Sequence, residues 1–151
     1  MPFEVYGFED EGMENNGLKQ RINAVADGID EKLINALSKA AMRVEAEAKK
    51  KCPVDKGELR ASITHEIEKG QNIASAVIGS NLEYSVYVEF GTGLFAKNGD
   101  GRKDVPWCYK DADGKFHITR GQHPQPFLIP AYLENTDFIV DCLKEVVKNH
   151  D

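Results

Sequence analysis

An apolar stripe through the N-terminal third of the chain constrains the fold more than any other feature. Leu18, Ile22, Val25, Ile29, Leu33, Leu37, Ala41, Val44 and Ala48 follow one another at intervals of three or four residues. That period predicts one apolar face on a long amphipathic helix. Gly28 interrupts it between Asp27 and Asp30, either of which can cap a new start, so a break or kink is expected near residue 28. Pro53 ends the helix, because the residue before a proline is pushed out of helical angles. Lys49, Lys50 and Lys51 stand at that end, where cations complement the helix dipole. Contact with a partner or with phosphate is the other reading of those lysines.

Beyond Pro53 the period changes. Asp55 and Glu58 have the spacing of a capping box, which predicts a short helical turn delivering the chain into a strand. From Ser62 to Glu68, Ile63, His65 and Ile67 alternate with polar residues. Lys69–Asn72 supplies a turn and Ile73–Gly79 a return strand, so a hairpin is expected. Residues 81–90 fit either a strand, through Tyr84, Val86, Val88 and Phe90, or a short helix capped by Asn81. Gly91-Thr92-Gly93 ends that element and opens a polar, glycine-rich loop over 94–104. A second hairpin spans Val105–Lys110 and Lys115–Thr119 around Asp113-Gly114. Pro124, Pro126 and Pro130 then hold an extended segment. A last helix is expected from near Pro130, with Tyr132, Ile139, Cys142, Leu143, Val146 and Val147 on its buried face.

The 151 residues suit one domain over 17–150, with 94–124 as an exposed loop and hairpin. Residues 1–16 read as an acidic leader: Glu4, Glu9, Asp10, Glu11 and Glu14 stand there without a base. The alternative is an arm that docks on a neighbouring subunit through Phe3, Tyr6 and Phe8. A net charge of −6 argues against a general DNA-coating protein. No stretch has the roughly 20 apolar residues of a membrane span, and the N-terminus reads as lacking a signal peptide. Cys52, Cys108 and Cys142 read as reduced thiols of a cytosolic protein.

Catalytic motifs are absent: there is no nucleophile elbow, P-loop or zinc-protease helix. Cys108, His117 and His123 could be drawn together as zinc ligands, but their spacing matches no usual pattern, and no metal or cofactor is expected. His65 fits a half-buried strand position better than a catalytic one. Glu89 could serve as a general base, yet a carboxylate accepting nearby backbone N–H groups is the better reading. Gly91 and Gly93 are expected to supply backbone angles closed to other residues. Trp107 and Tyr109 share one face of the second hairpin, with Phe116 and Ile118 on the other. Such aromatics either cover the domain's own core or form an interface.

Three segments taken in order resemble a known family. The first is Ala48–Ile63, with Pro53, Val54, Asp55, Gly57, Leu59, Arg60 and Ser62. The second is Tyr84–Gly93, with Tyr84, Tyr87, Glu89, Phe90, Gly91, Thr92 and Gly93. The third is Pro126–Ala131, with Pro126, Phe127, Pro130 and Ala131. Together they are similar to the gene-ten-like head–tail connectors of tailed bacteriophages, also called neck, tail-completion or minor tail proteins, over roughly residues 18–148. The family usually has Thr where Lys56 stands, and often Ala where Cys52 and Ser85 stand. The leader has no counterpart.

The resemblance implies an α+β fold, with a long N-terminal helix and a C-terminal helix packed on a mainly antiparallel β-sheet. It tips residues 82–89 toward a short helix. It implies no enzymatic activity, assembly as a homo-oligomer (a ring) beside neighbouring head-completion or tail proteins, and a place in the host cytoplasm and then the virion. DNA would pass nearby without specific binding. Trp107, Tyr109 and Phe116 are the candidate subunit interface. A small hydrolase or nuclease using Glu89, His117 or His123, and a monomeric host-directed regulator, are the competing readings.

Overall fold

The computed structural model describes residues 3–4, 17–54, 57–95, 103, 105–110 and 113–148. Over these the chain builds an α+β fold in which a four-stranded antiparallel sheet carries helices and a two-stranded ribbon stands apart. The sheet is made of β1 (Phe3–Glu4), β2 (Lys19–Val25), β3 (Thr64–Lys69) and β4 (Ile73–Gly79), in the order β1-β2-β4-β3. The helices are α1 (Glu31–Lys51), α2 (Glu58–Ser62), α3 (Ser85–Phe90), α4 (Leu128–Leu133) and α5 (Thr136–Lys148). Strands β5 (Trp107–Lys110) and β6 (Phe116–Thr119) form the ribbon.

The long helix begins later than the apolar stripe predicts. Residues 19–25 are β2, paired residue for residue with β4 from Lys19↔Gly79 to Val25↔Ile73. Their helix-facing set is Gln20, Ile22 and Ala24, which continues from Leu18 with a period of two, while Asn23 is buried on the opposite face beside Ser75. Gln20 occupies an inward position of that set, so the alternation is invisible as hydrophobicity, and Leu18, Ile22 and Val25 imitate helical spacing by coincidence. The break near residue 28 is therefore a strand-to-helix junction. Asp30 caps the new helix, its Oδ1 accepting from the Leu33 amide at 2.9 Å.

Helix α1 lays Leu33, Leu37, Ala40, Ala41, Val44 and Ala48 against the sheet and against α4 and α5. Across the interface β2 offers Ile22 and Ala24, and β4 offers Ala74, Ala76 and Ile78. Small residues on both sides let helix and sheet approach closely. The sheet's outer face is polar: Ser75 donates to Asn23, and Arg21 pairs with Glu68 at 2.5 Å. His65, on the inner side of edge strand β3, reaches back to Glu45 of α1 at 2.6 Å.

The basic cluster at the end of α1 is neutralised within the chain. Lys49 pairs with Glu45 at 3.2 Å, Lys50 with Glu47 at 3.3 Å, and Lys51 with Glu134 at 2.7 Å. Phosphate binding there would have to compete with these pairs. Helix α2 follows as expected, but its N-cap is Gly57, at φ 77°, with no side-chain cap bond. Asp55 lies outside the described residues. The C-terminal helix starts at Leu128 instead of Pro130 and divides at Glu134–Asn135 into α4 and α5. Asn135 is buried at the division, donating to the Ala131 carbonyl at 2.7 Å and accepting from Arg43 at 3.2 Å.

Candidate functional site

Residues 85–90 form a helix, and its period places Ser85 and Glu89 on one inward side. Both are buried, Glu89 to 1% exposure. A lone carboxylate at that depth must be fully partnered, and it is. Its Oε2 accepts from the Phe127 and Leu128 amides at 2.8 and 2.9 Å, and its Oε1 from the Ile129 amide at 2.8 Å. Those amides open α4, whose own N-cap residue, Phe127, supplies no side-chain cap. A residue 38 positions upstream therefore caps this helix, with charge-assisted bonds that also suit the helix dipole. The Gln125 amide adds a bond to the Val88 carbonyl at 2.8 Å. Phe127 seals the junction, with no exposed surface. Glu89 thus accepts three backbone amides at a site closed to solvent.

A second knot joins the first two segments through hydroxyl groups. Ser62 Oγ donates to the Leu59 carbonyl at 2.6 Å and meets Ser80 Oγ at 2.6 Å. Ser80 Oγ accepts from the Leu82 amide at 3.1 Å. Ser85 Oγ donates to the Leu82 carbonyl at 2.6 Å and accepts from the Leu18 amide at 3.0 Å. Cys52 is buried beside both segments. Burial pushes its thiol pKa above the ordinary value, with nearby Arg60 opposing and Glu89 adding to the rise.

The glycines of the second segment set the root of the ribbon. The Thr92 amide donates to the Gln122 carbonyl at 2.9 Å, the Gln122 amide to Thr92 Oγ1 at 2.9 Å, and the Leu94 amide to the Arg120 carbonyl at 3.0 Å. Gly93 has φ +60°, and a Cβ there would stand 2.2 Å from the Arg120 carbonyl oxygen. On the facing segment Gly121 has φ +124°, and its Cβ would stand 2.1 Å from the Thr92 oxygen. Neither side of this backbone strap tolerates a side chain. Gly121 escaped the sequence reading, because a glycine beside a turn has no signature of the segment it will face.

The remaining motif residues divide by exposure. Leu59 and Ala131 are in the core, whereas Val54, Tyr84 and Tyr87 are 54%, 41% and 46% exposed. Phe90 is half-buried against the core, Pro53 and Pro130 are half-buried, and Arg60 and Pro126 are exposed.

On the ribbon, Trp107 faces Thr119, Cys108 faces Ile118, Tyr109 faces His117 and Lys110 faces Phe116. Opposed residues share a side, so the positions of Trp107, Tyr109, His117 and Thr119 lie on one face and those of Cys108, Lys110, Phe116 and Ile118 on the other. Trp107 is half-buried. Phe116 and Ile118 are 72% and 77% exposed, and Lys110 Nζ sits 5.6 Å from the centre of the Phe116 ring. The three residues drawn as zinc ligands are not brought together. Cys108 and His117 occupy opposite faces, and the His123 ring lies against Phe95 at 3.9 Å between centroids. Among the described residues no three His, Cys, Asp or Glu side chains form a metal-binding group. No helix among them is long and apolar enough to cross a membrane.

With this geometry in place, comparison with known families is decisive for kinship. A family model of HK97-gp10-like bacteriophage tail components matches residues 16–91. The chain belongs to that family. The matched span runs from the threshold of β2 to Gly91, and so contains β2, β3 and β4 of the sheet, α1, Glu89 and the hydroxyl knot. The ribbon and the amides that Glu89 caps lie beyond it. Membership makes the chain a phage structural protein of the tail-component class. Neither the curated proteins nor the solved structures contain a match.

Proposed function

We propose that this protein is a non-enzymatic connector of a tailed phage or prophage, assembling as a ring at the head–tail junction or tail end. The observation that carries the reading is the ribbon, which leaves Phe116 and Ile118 almost fully in water on an element stabilised mainly by its own strand pair. A monomer gains nothing from holding such a surface rigid, whereas a subunit gains a contact. Head-to-tail contacts between identical subunits close into rings. Phe116 belongs to this contact, while Trp107 and Tyr109 occupy positions on the ribbon's other face, and residues 17–150 work as one unit. The buried carboxylate supports a structural role, because its acceptor positions are committed to Phe127, Leu128 and Ile129.

Its partners are other copies of itself and neighbouring head-completion or tail proteins, met in the host cytoplasm before incorporation into the virion. A net charge of −6 suits a passage that lets DNA through without holding it. Light scattering behind size exclusion, across protein concentration, tests the reading. Reversible growth toward a ring-sized species is expected. A strict monomer that binds duplex DNA tightly and salt-sensitively would overturn it.

A further inference from the structure

The ribbon carries two features that a simple hydrophobic contact would not need. Lys110 stands over the Phe116 ring on the outward face, and exposed Lys115 adjoins Phe116 at the start of β6. An apolar patch with a cation over it, and a second lysine next to it in the chain, selects an occupant that is both acidic and aromatic. It also disfavours a ribbon docking on an identical ribbon, since Lys110 would then approach its own copy.

The chain itself contains one segment of the opposite character. Residues 1–16 hold five carboxylates and no Lys or Arg, against a net charge of −6 for the whole protein. Nearly all the excess negative charge is thus concentrated there. Tyr6 and Phe8 directly precede the run Glu9-Asp10-Glu11. The leader's own strand, β1, is anchored to β2 by pairing Phe3 with Ala24 and Glu4 with Asn23. Glu4 of β1 and Gly17, just before β2, thus both adjoin the four-stranded sheet, while the patch belongs to the ribbon.

We propose that the outward face of the ribbon docks on a second copy of this chain through that copy's acidic N-terminal segment, residues 5–16. Two complementary surfaces at different places on one subunit are what a head-to-tail ring requires. This rests on the connector reading and names the contact that reading leaves open. Lys110 and Lys115 would steer and register the partner, and Phe116 and Ile118 would supply the apolar burial.

The test uses the full-length protein with a photo-reactive phenylalanine at position 118, mixing isotope-labelled and unlabelled chains. Light scattering reports the mass, and peptide mapping reports which chain is crosslinked and where. The expected result is assembly with inter-chain crosslinks falling in residues 5–16. Lys110→Glu with Lys115→Glu should then weaken self-association about ten-fold or more. Adding Glu9→Lys, Asp10→Lys and Glu11→Lys to that variant should restore most of the loss. Assembly with crosslinks mapping elsewhere, or no restoration, overturns this contact and leaves the connector reading standing. Crosslinks confined to one chain overturn it likewise. A protein that stays monomeric at every concentration overturns both.

Discussion

The junction around Glu89 and the ribbon around Phe116 are built on opposite terms. At the junction, a fully buried charge receives three amides from a distant segment, and two glycines let backbones touch. Among the described residues no buried side-chain nitrogen or oxygen there lacks a partner. On the ribbon, two large apolar side chains stand in water. The junction is expensive to disturb because its donors have no alternative once desolvated. The ribbon is cheap to disturb in the free subunit, because its side chains have yet to be desolvated. One region sets the shape of the chain, and the other carries the surface proposed to meet a second copy.

The sharpest way to break this contrast is Glu89→Ala, which strands three amide donors in a dry junction. A loss of about 3–5 kcal/mol is expected in denaturant unfolding, and Glu89→Gln should recover only part of it. If Glu89→Ala unfolds like the parent, the carboxylate is not structural and a chemical role must be reconsidered. Next in size is the strap. Gly93→Ala or Gly121→Ala places a Cβ 2.2 or 2.1 Å from a facing carbonyl oxygen at positive φ, and should cost about 2–3 kcal/mol. Because this strap roots the ribbon, assembly should weaken as well.

Ser85→Ala leaves the Leu18 amide without its acceptor and should cost about 1 kcal/mol. Replacing Phe116 and Ile118 together by Ser should move stability by no more than about 0.5 kcal/mol while abolishing self-association. A large stability loss in that variant would erase the distinction between the two regions.

Titration offers a finer probe of the same contrast. Burial raises the thiol pKa of Cys52 and Cys142, so their folded values lie above their unfolded ones. The stability they contribute is intact below the ordinary thiol value of about 8.5 and declines as pH climbs through the raised values. Tyr132, raised by the same cause, extends the decline further into alkaline conditions. At pH 8 an alkylating reagent should accordingly label exposed Cys108 in the native protein and reach Cys52 and Cys142 only on unfolding.

Much of this architecture was legible in the residues. The body of helix α1 up to Pro53, the β3–β4 hairpin and the ribbon follow from local rules of periodicity and turn chemistry, and either Asp27 or Asp30 could be named as the cap. Where the reading failed, a local signal was ambiguous and a distant one decided. Leu18, Ile22 and Val25 satisfy a helical period, yet β4 offered seven paired positions, and a strand with Gln20 inward won. Asp55 and Glu58 have capping-box spacing, but the N-cap of α2 is Gly57.

The sequence by itself determined the helix that ends at Pro53, the strands that pair as hairpins, and the family the chain belongs to, since these depend on neighbours within a few turns or on linear motif order. Tertiary structure alone decided that Glu89 caps a helix 38 residues away, that Gly93 needs Gly121, and that Cys108 and His117 turn away from each other. It also left Phe116 and Ile118 on the open side of the ribbon. Such facts depend on which backbone groups meet after loops of tens of residues close. No periodicity along the chain encodes that meeting, because it is set by the packing of all the elements at once.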